Sequence, residues 1–179
     1  MTIRKQPRRT TVAAALPLLF AMPVALSADE GADKVRAHLV GYEEVPTLSS
    51  DGSASFRARI AKDEHSFDWE LNYTGLTGVT QAHIHFAARA INGPIVIWLC
   101  SNLGNGPPGT PLCPPSPATV TGTAHPADVT AGADLLGIHA GDLGRMIDAI
   151  RAGAAYANVH TTARPGGEVR GQIHSHDDD

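Results

Sequence analysis

The sequence predicts an all-β protein: a Greek-key antiparallel β-sandwich with one short helical insertion before the last two strands. Three observations point there. Short segments that alternate apolar and polar residues recur at intervals of about 10 to 20 residues, as expected of sheet with one buried and one wet face. Clusters of Gly, Pro, Ser and Asn separate them. Helical periodicity is confined to one late stretch, and no internal repeat suggests a propeller or solenoid.

Lys34 to Val40 alternates, and the turn-forming residues from Gly41 to Ser53 follow it, so the chain opens on a strand and a loop. From Ser53 to Ala61, Ala54, Phe56, Ala58 and Ile60 share a face; from Ser66 to Tyr73, Phe67, Trp69, Leu71 and Tyr73 do the same, with Asp68 and Glu70 facing solvent. Gly75 and Gly78 lead into Thr80 to His85. Pro94 to Leu99 is more continuously apolar and reads as a strand deeper in the core, and Ala118 to His125 as a threonine-rich strand. Asp128 to Ala131 is expected to start a short helical turn. In Ala140 to Arg151, Leu143, Met146, Ile147 and Ile150 form one apolar helical face, and Gly153 is placed to end that helix. Ala154 to His160 and Gly167 to Ile173 return to strand around a turn at Pro165-Gly166.

The 179 residues suit one domain, preceded by a leader. Arg4, Lys5, Arg8 and Arg9 form a basic start, Val12 to Leu26 is mostly apolar, and Ala25 to Ala28 offers small residues for cleavage, so residues 1–28 read as a secretory signal peptide. The apolar stretch is broken by Pro17 and Pro23 and falls short of the roughly 20 residues that span a bilayer, so no transmembrane anchor is expected after cleavage. Arg8-Arg9 makes a weak match to a twin-arginine signal. The domain then covers residues 29–173, with a polar, solvated tail over 174–179. The mature chain carries 10 basic and 18 acidic residues, a net charge of −8, which argues against nucleic-acid partners. Export to the periplasm or beyond the cell is the expected localisation.

Cys100 and Cys113 are the only cysteines and bracket a loop dense in Gly, Pro and Asn; an even count in an exported chain favours a disulfide. Their spacing matches no paired zinc motif.

The most informative run is Ala82-His83-Ile84-His85, echoed by Tyr156-Ala157-Asn158-Val159-His160. In strands, His83 and His85 share one face with Ile84 in the core, and Asn158 and His160 lie opposite Val159. Three imidazoles can then converge, an arrangement that suits copper or zinc. The plainer alternative is solvated or hydrogen-bonded histidines on a half-buried strand.

The segments Leu76 to His85, Gly93 to Ile97, Ile150 to Gly153, Tyr156 to Thr161 and Pro165 to Ile173 resemble the CHRD domain, over about Val35 to Ile173. That family implies a fold and an exported compartment but no reaction. A Gly-Leu-Thr turn before His-x-His, a late Val-His strand and a Gly-Gly turn followed by Arg and Gly also look like copper/zinc superoxide dismutase. That resemblance implies copper ligands at His83, His85 and His160 and an anion-guiding Arg170. The chain departs from it in having no histidine or carboxylate from Phe86 to Leu99, so the zinc site is missing. Asn158 and Thr161 flank His160 and are candidates to hydrogen-bond the ligands or, equally, to hold the turn. Glu168 and Arg170 share a strand face and are expected to pair as a salt bridge. No nucleophile triad, carboxylate dyad or phosphate loop stands out.

Three functions follow: a non-enzymatic exported protein binding copper or zinc at the three histidines, a metal-free module binding an extracellular or periplasmic protein partner, and a redox enzyme of superoxide dismutase type with Arg170 beside an open metal position.

Overall fold

A computed structural model describes Met1 and residues 33–175; the rest of the expected signal peptide and the last four residues of the tail lie outside the described residues. Among the described residues there are nine strands: β1 (Asp33–Val40), β2 (Ser53–Ile60), β3 (Phe67–Thr74), β4 (Val79–Phe86), β5 (Ile95–Ser101), β6 (Ala118–Ala124), β7 (Ala155–Thr161), β8 (Val169–Gln172) and β9 (His174–Ser175). An α-helix, α1 (Leu143–Arg151), the one among the described residues, precedes β7. All pairings are antiparallel, in the order β5-β4-β7-β8-β1-β2-β3-β6, with β9 on β1. The predicted layers are parts of one continuous sheet, nearly closed into a barrel.

Register explains the core. Ala37, Phe56, Leu71 and Val120 stand side by side across four strands, and Ile97, Ile84, Ala157 and Gly171 across four others. Alternation places these residues on the inner face, where Phe56, Leu71 and Ile84 are fully buried. Gly171 is needed there for closeness: a Cβ on it would stand 2.2 Å from the His38 carbonyl oxygen of β1. Gly171→Ala is therefore expected to lower stability by about 1–3 kcal/mol, measured by urea denaturation, because β1 and β8 would have to part.

The helix starts later than its apolar pattern suggests. The Asp142 side chain accepts from Arg145 N at 3.2 Å and caps it, so residues 140–142 stay outside. Its buried face is Leu143, Met146, Ile147 and Ile150. Gly153 follows its end with φ 64°, a left-handed conformation that favours glycine. The predicted turn near Asp128 is a pair of 3₁₀ segments, Pro126–Asp128 and Ala131–Leu136. His174 and Ser175, read as part of the solvated tail, instead pair with Arg36 and Val35.

The exposed edge of β5 is covered. Thr130 N donates to Val96 O at 2.9 Å, and Ser101 N to Pro111 O at 2.8 Å. Cys100 and Cys113 form the expected disulfide, 13 residues apart. Asn102 knits the same loop, donating to Val79 O and Cys113 O and accepting from Cys113 N. Replacing both cysteines with alanine is expected to cost about 3 kcal/mol in denaturant unfolding, the loop-closure contribution for this length.

Candidate metal centre

The ladder brings the predicted residues together. His83 lies opposite Asn158, His85 opposite Tyr156, and Asn158 opposite Arg170. Cross-strand neighbours and diagonals on one face are within side-chain reach, so His83, His85 and His160 meet around Asn158. One ligand nitrogen from each histidine lies within 4.8 Å of the others. Among the described residues this is the one such group of histidine, cysteine or acid side chains. His125 and His139 take no part.

Hydrogen bonds fix the nitrogens. His85 Nδ1 meets Gly93 O at 2.9 Å and His160 Nδ1 meets Pro165 O at 3.0 Å. A carbonyl only accepts, so both Nδ1 atoms carry the proton and both Nε2 atoms present bare lone pairs. Each bare Nε2 lies 3.0 Å from Asn158 Oδ1. His83 Nδ1 faces His160 Nε2 at 3.2 Å, and His83 Nε2 is buried without a partner. Three acceptors thus converge on a space that His83 alone supplies with a proton. A cation relieves that crowding, as does a turn of the Asn158 amide that presents its NH₂.

The donor set fits a transition metal. Nitrogens bound at about 2.0–2.1 Å stand roughly 3.3–3.6 Å apart around one ion. The His83–His160 pair is already at 3.2 Å, and a contraction of at most about 1.2–1.5 Å from the 4.8 Å span brings in the third ring. The carbonyls behind His85 and His160 hold the rings as partners of ligand histidines commonly do.

Burial is deeper than a half-wet strand predicts. His83 is 0 % exposed, and His85 and His160 are 6 % exposed. Burial, reinforced by the neighbouring rings, pushes His83 down to about 2; burial also takes His85 to about 4 and lowers His160. The rings are therefore neutral near pH 7, the form that ligates. Trp98 packs edge-to-face on His83 with centroids 4.3 Å apart, and Tyr156 stacks flat on His85 at 4.6 Å.

The segment 87–94 is held beside these strands by Gln172 Nε2 to Ala87 O, Asn92 Nδ2 to Val45 O, and Gly93 N to Tyr156 Oη. Gly93 has to be glycine: a Cβ would stand 2.0 Å from Phe86 O.

Arg170 departs from its predicted role. It is 1 % exposed, donates to Asn92 Oδ1 at 3.2 Å and Ile91 O at 2.9 Å, and lies 3.5 Å from the Tyr156 ring centroid. Nor does it form the expected salt bridge with Glu168. That carboxylate accepts from Ser50 Oγ at 2.8 Å and Thr161 Oγ1 at 2.5 Å, because residue 168 precedes β8 and sits over the turn. Thr161 likewise serves the turn, accepting from Arg164 N, rather than a ligand nitrogen. Asn158 Oδ1 reaches two of the imidazoles, at His85 Nε2 and His160 Nε2.

Sequence reasoning missed Tyr156, Trp98, the Gly93 and Pro165 carbonyls, and buried Glu44. Tyr156 was accessible from the same alternation that links Asn158 and His160. The others depend on loop paths and strand order that periodicity does not encode.

Fold and site together define an antiparallel sheet nearly closed into a barrel, with three clustered histidines on one face. A family profile described as the CHRD domain matches residues 35–173, and the chain belongs to that family. No curated protein and no solved structure matches it.

Proposed function

We propose that this CHRD-domain protein is an exported, non-enzymatic binder of a transition metal, copper or zinc, through His83, His85 and His160. The observation that carries the reading is the convergence, in a buried space, of two bare Nε2 atoms, each backed by a carbonyl, with His83 Nδ1, which becomes a donor to the metal once its proton moves to the unpartnered Nε2 of the same ring. Such a preformed donor set lowers the ordering cost of binding. The Cys100–Cys113 disulfide supports an oxidising compartment, in keeping with the leader-like start of the chain.

The superoxide dismutase reading receives less support. A guiding cation must present its charge to an incoming anion, and Arg170 is buried with its donors engaged. Calorimetric titration with copper and with zinc tests the proposal. Near-stoichiometric binding that disappears in the His83, His85, His160 triple alanine variant is expected. Equal binding by the variant refutes the site, and absence of binding by the wild type favours a protein-binding module.

A further inference from the structure

We propose that the pocket selects copper in its monovalent state over divalent ions, an inference that rests on the three histidines being the ligands. Charge decides it. Histidines ligate as neutral groups, and the Asn158 amide beside them is neutral too. Among the described residues no anion is bonded to the cluster: both cysteines are in the disulfide, and Glu168 is held by Ser50 and Thr161. Glu44, the one buried acid among the described residues, packs against Gly167, where a Cβ would stand 2.5 Å from its Oε1, and its charge acts on Arg170 and Tyr156 rather than on the histidines.

The nearest fixed charge is positive. Arg170 is the register partner of Asn158 and lies over Tyr156, which stacks on His85, so the guanidinium is one ring removed from a ligand. Its repulsion for a bound ion doubles when the ion's charge doubles. Desolvation grows faster still, since the Born cost rises with the square of the charge; a divalent ion entering this dry pocket loses about four times the hydration of a monovalent ion of similar size. An anionic ligand ordinarily offsets that loss, and this pocket offers none. Coordination number agrees. Monovalent copper is satisfied by three nitrogens, whereas zinc takes a fourth donor from protein or water. Among the described residues the neutral Asn158 oxygen is the one other polar atom bonded to the bare Nε2 atoms, since the Gly93 and Pro165 carbonyls are taken up by the Nδ1 atoms.

The test is anaerobic competition against chelators of known affinity, with monovalent copper and with zinc, for the wild type, Asn158→Asp and Arg170→Gln. The wild type is expected to hold monovalent copper at least about 100-fold more tightly than zinc. Asn158→Asp, which adds an anion at the cluster, should narrow that ratio at least tenfold by raising zinc affinity. Arg170→Gln removes the repelling charge while keeping amide donors and should shift the ratio the same way; it serves if the aspartate variant fails to fold. A wild type that prefers zinc, or a ratio unmoved by both substitutions, overturns the inference and leaves the histidine site standing. Binding of neither ion overturns both.

Discussion

His160→Ala is expected to lower copper or zinc affinity by about 10²–10³-fold, while His139→Ala leaves it unchanged. Structural zinc sites with four ligands gain about 10–16 kcal/mol, or roughly 2.5–4 kcal/mol per ligand, which sets the size of the effect. His160 is the sharpest choice because its Nε2 touches both His83 Nδ1 and Asn158 Oδ1, while its Nδ1 is tied to Pro165 O. His139 is exposed and bonded to Asp134. Competition titration reads both variants, and circular dichroism separates lost ligation from lost fold.

Acid should destabilise the metal-free protein steeply below pH 6.5. His83 and His85 stand at about 2 and about 4 in the fold against an ordinary 6.5, and His160 is lowered in the same direction. Below pH 6.5 the unfolded chain therefore binds protons that the folded chain refuses, and stability falls as pH falls. Glu44 acts oppositely. Burial raises it from 4.5 to about 7, with Arg170 pulling the other way, so its contribution is present below pH 4.5 and is lost as pH rises through about 7. Between pH 4.5 and 6.5 unfolding takes up two to three histidine protons and releases one from Glu44. The net of one to two protons corresponds to about 1.4–2.8 kcal/mol per pH unit. Urea denaturation across this range, with chelator present, measures the slope. Glu44→Gln should steepen it, since the opposing proton is removed.

Much of the architecture was legible because the early strands alternate. Phe67, Trp69, Leu71 and Tyr73 all point inward as their spacing requires. The paired histidines were legible for the same reason, since period two keeps His83 with His85 and Asn158 with His160. Burial of that second face was not. It is imposed in part by the segment 87–94, whose anchors Arg170, Gln172 and Val45 are distant in sequence. Irregularities at Ala82/His83 and Ile84/His85 in the β4–β5 pairing are likewise invisible to a pattern of two. Arg170 and Glu168 were expected to pair because they sit two residues apart, yet Glu168 lies before β8 and finds hydroxyl partners.

The same physics links these misreadings to the function. A strand face buried by loops makes histidines neutral and excludes water, which turns an ordinary His-x-His pair into a preorganised donor set. An arginine buried in the same layer holds the segment at Ile91 and Asn92 instead of facing solvent. On the proposed reading, strand order therefore favours an enclosed binding site over a guided catalytic one.

The most direct test is elemental analysis of the folded protein purified from the exported fraction of its host, combined with X-ray absorption at the metal edge. The account predicts about one copper or zinc ion per chain, coordinated by three imidazole nitrogens and missing from the triple histidine variant. A protein that emerges metal-free and stays so after anaerobic loading, or one that holds its ion equally well without the three histidines, contradicts it.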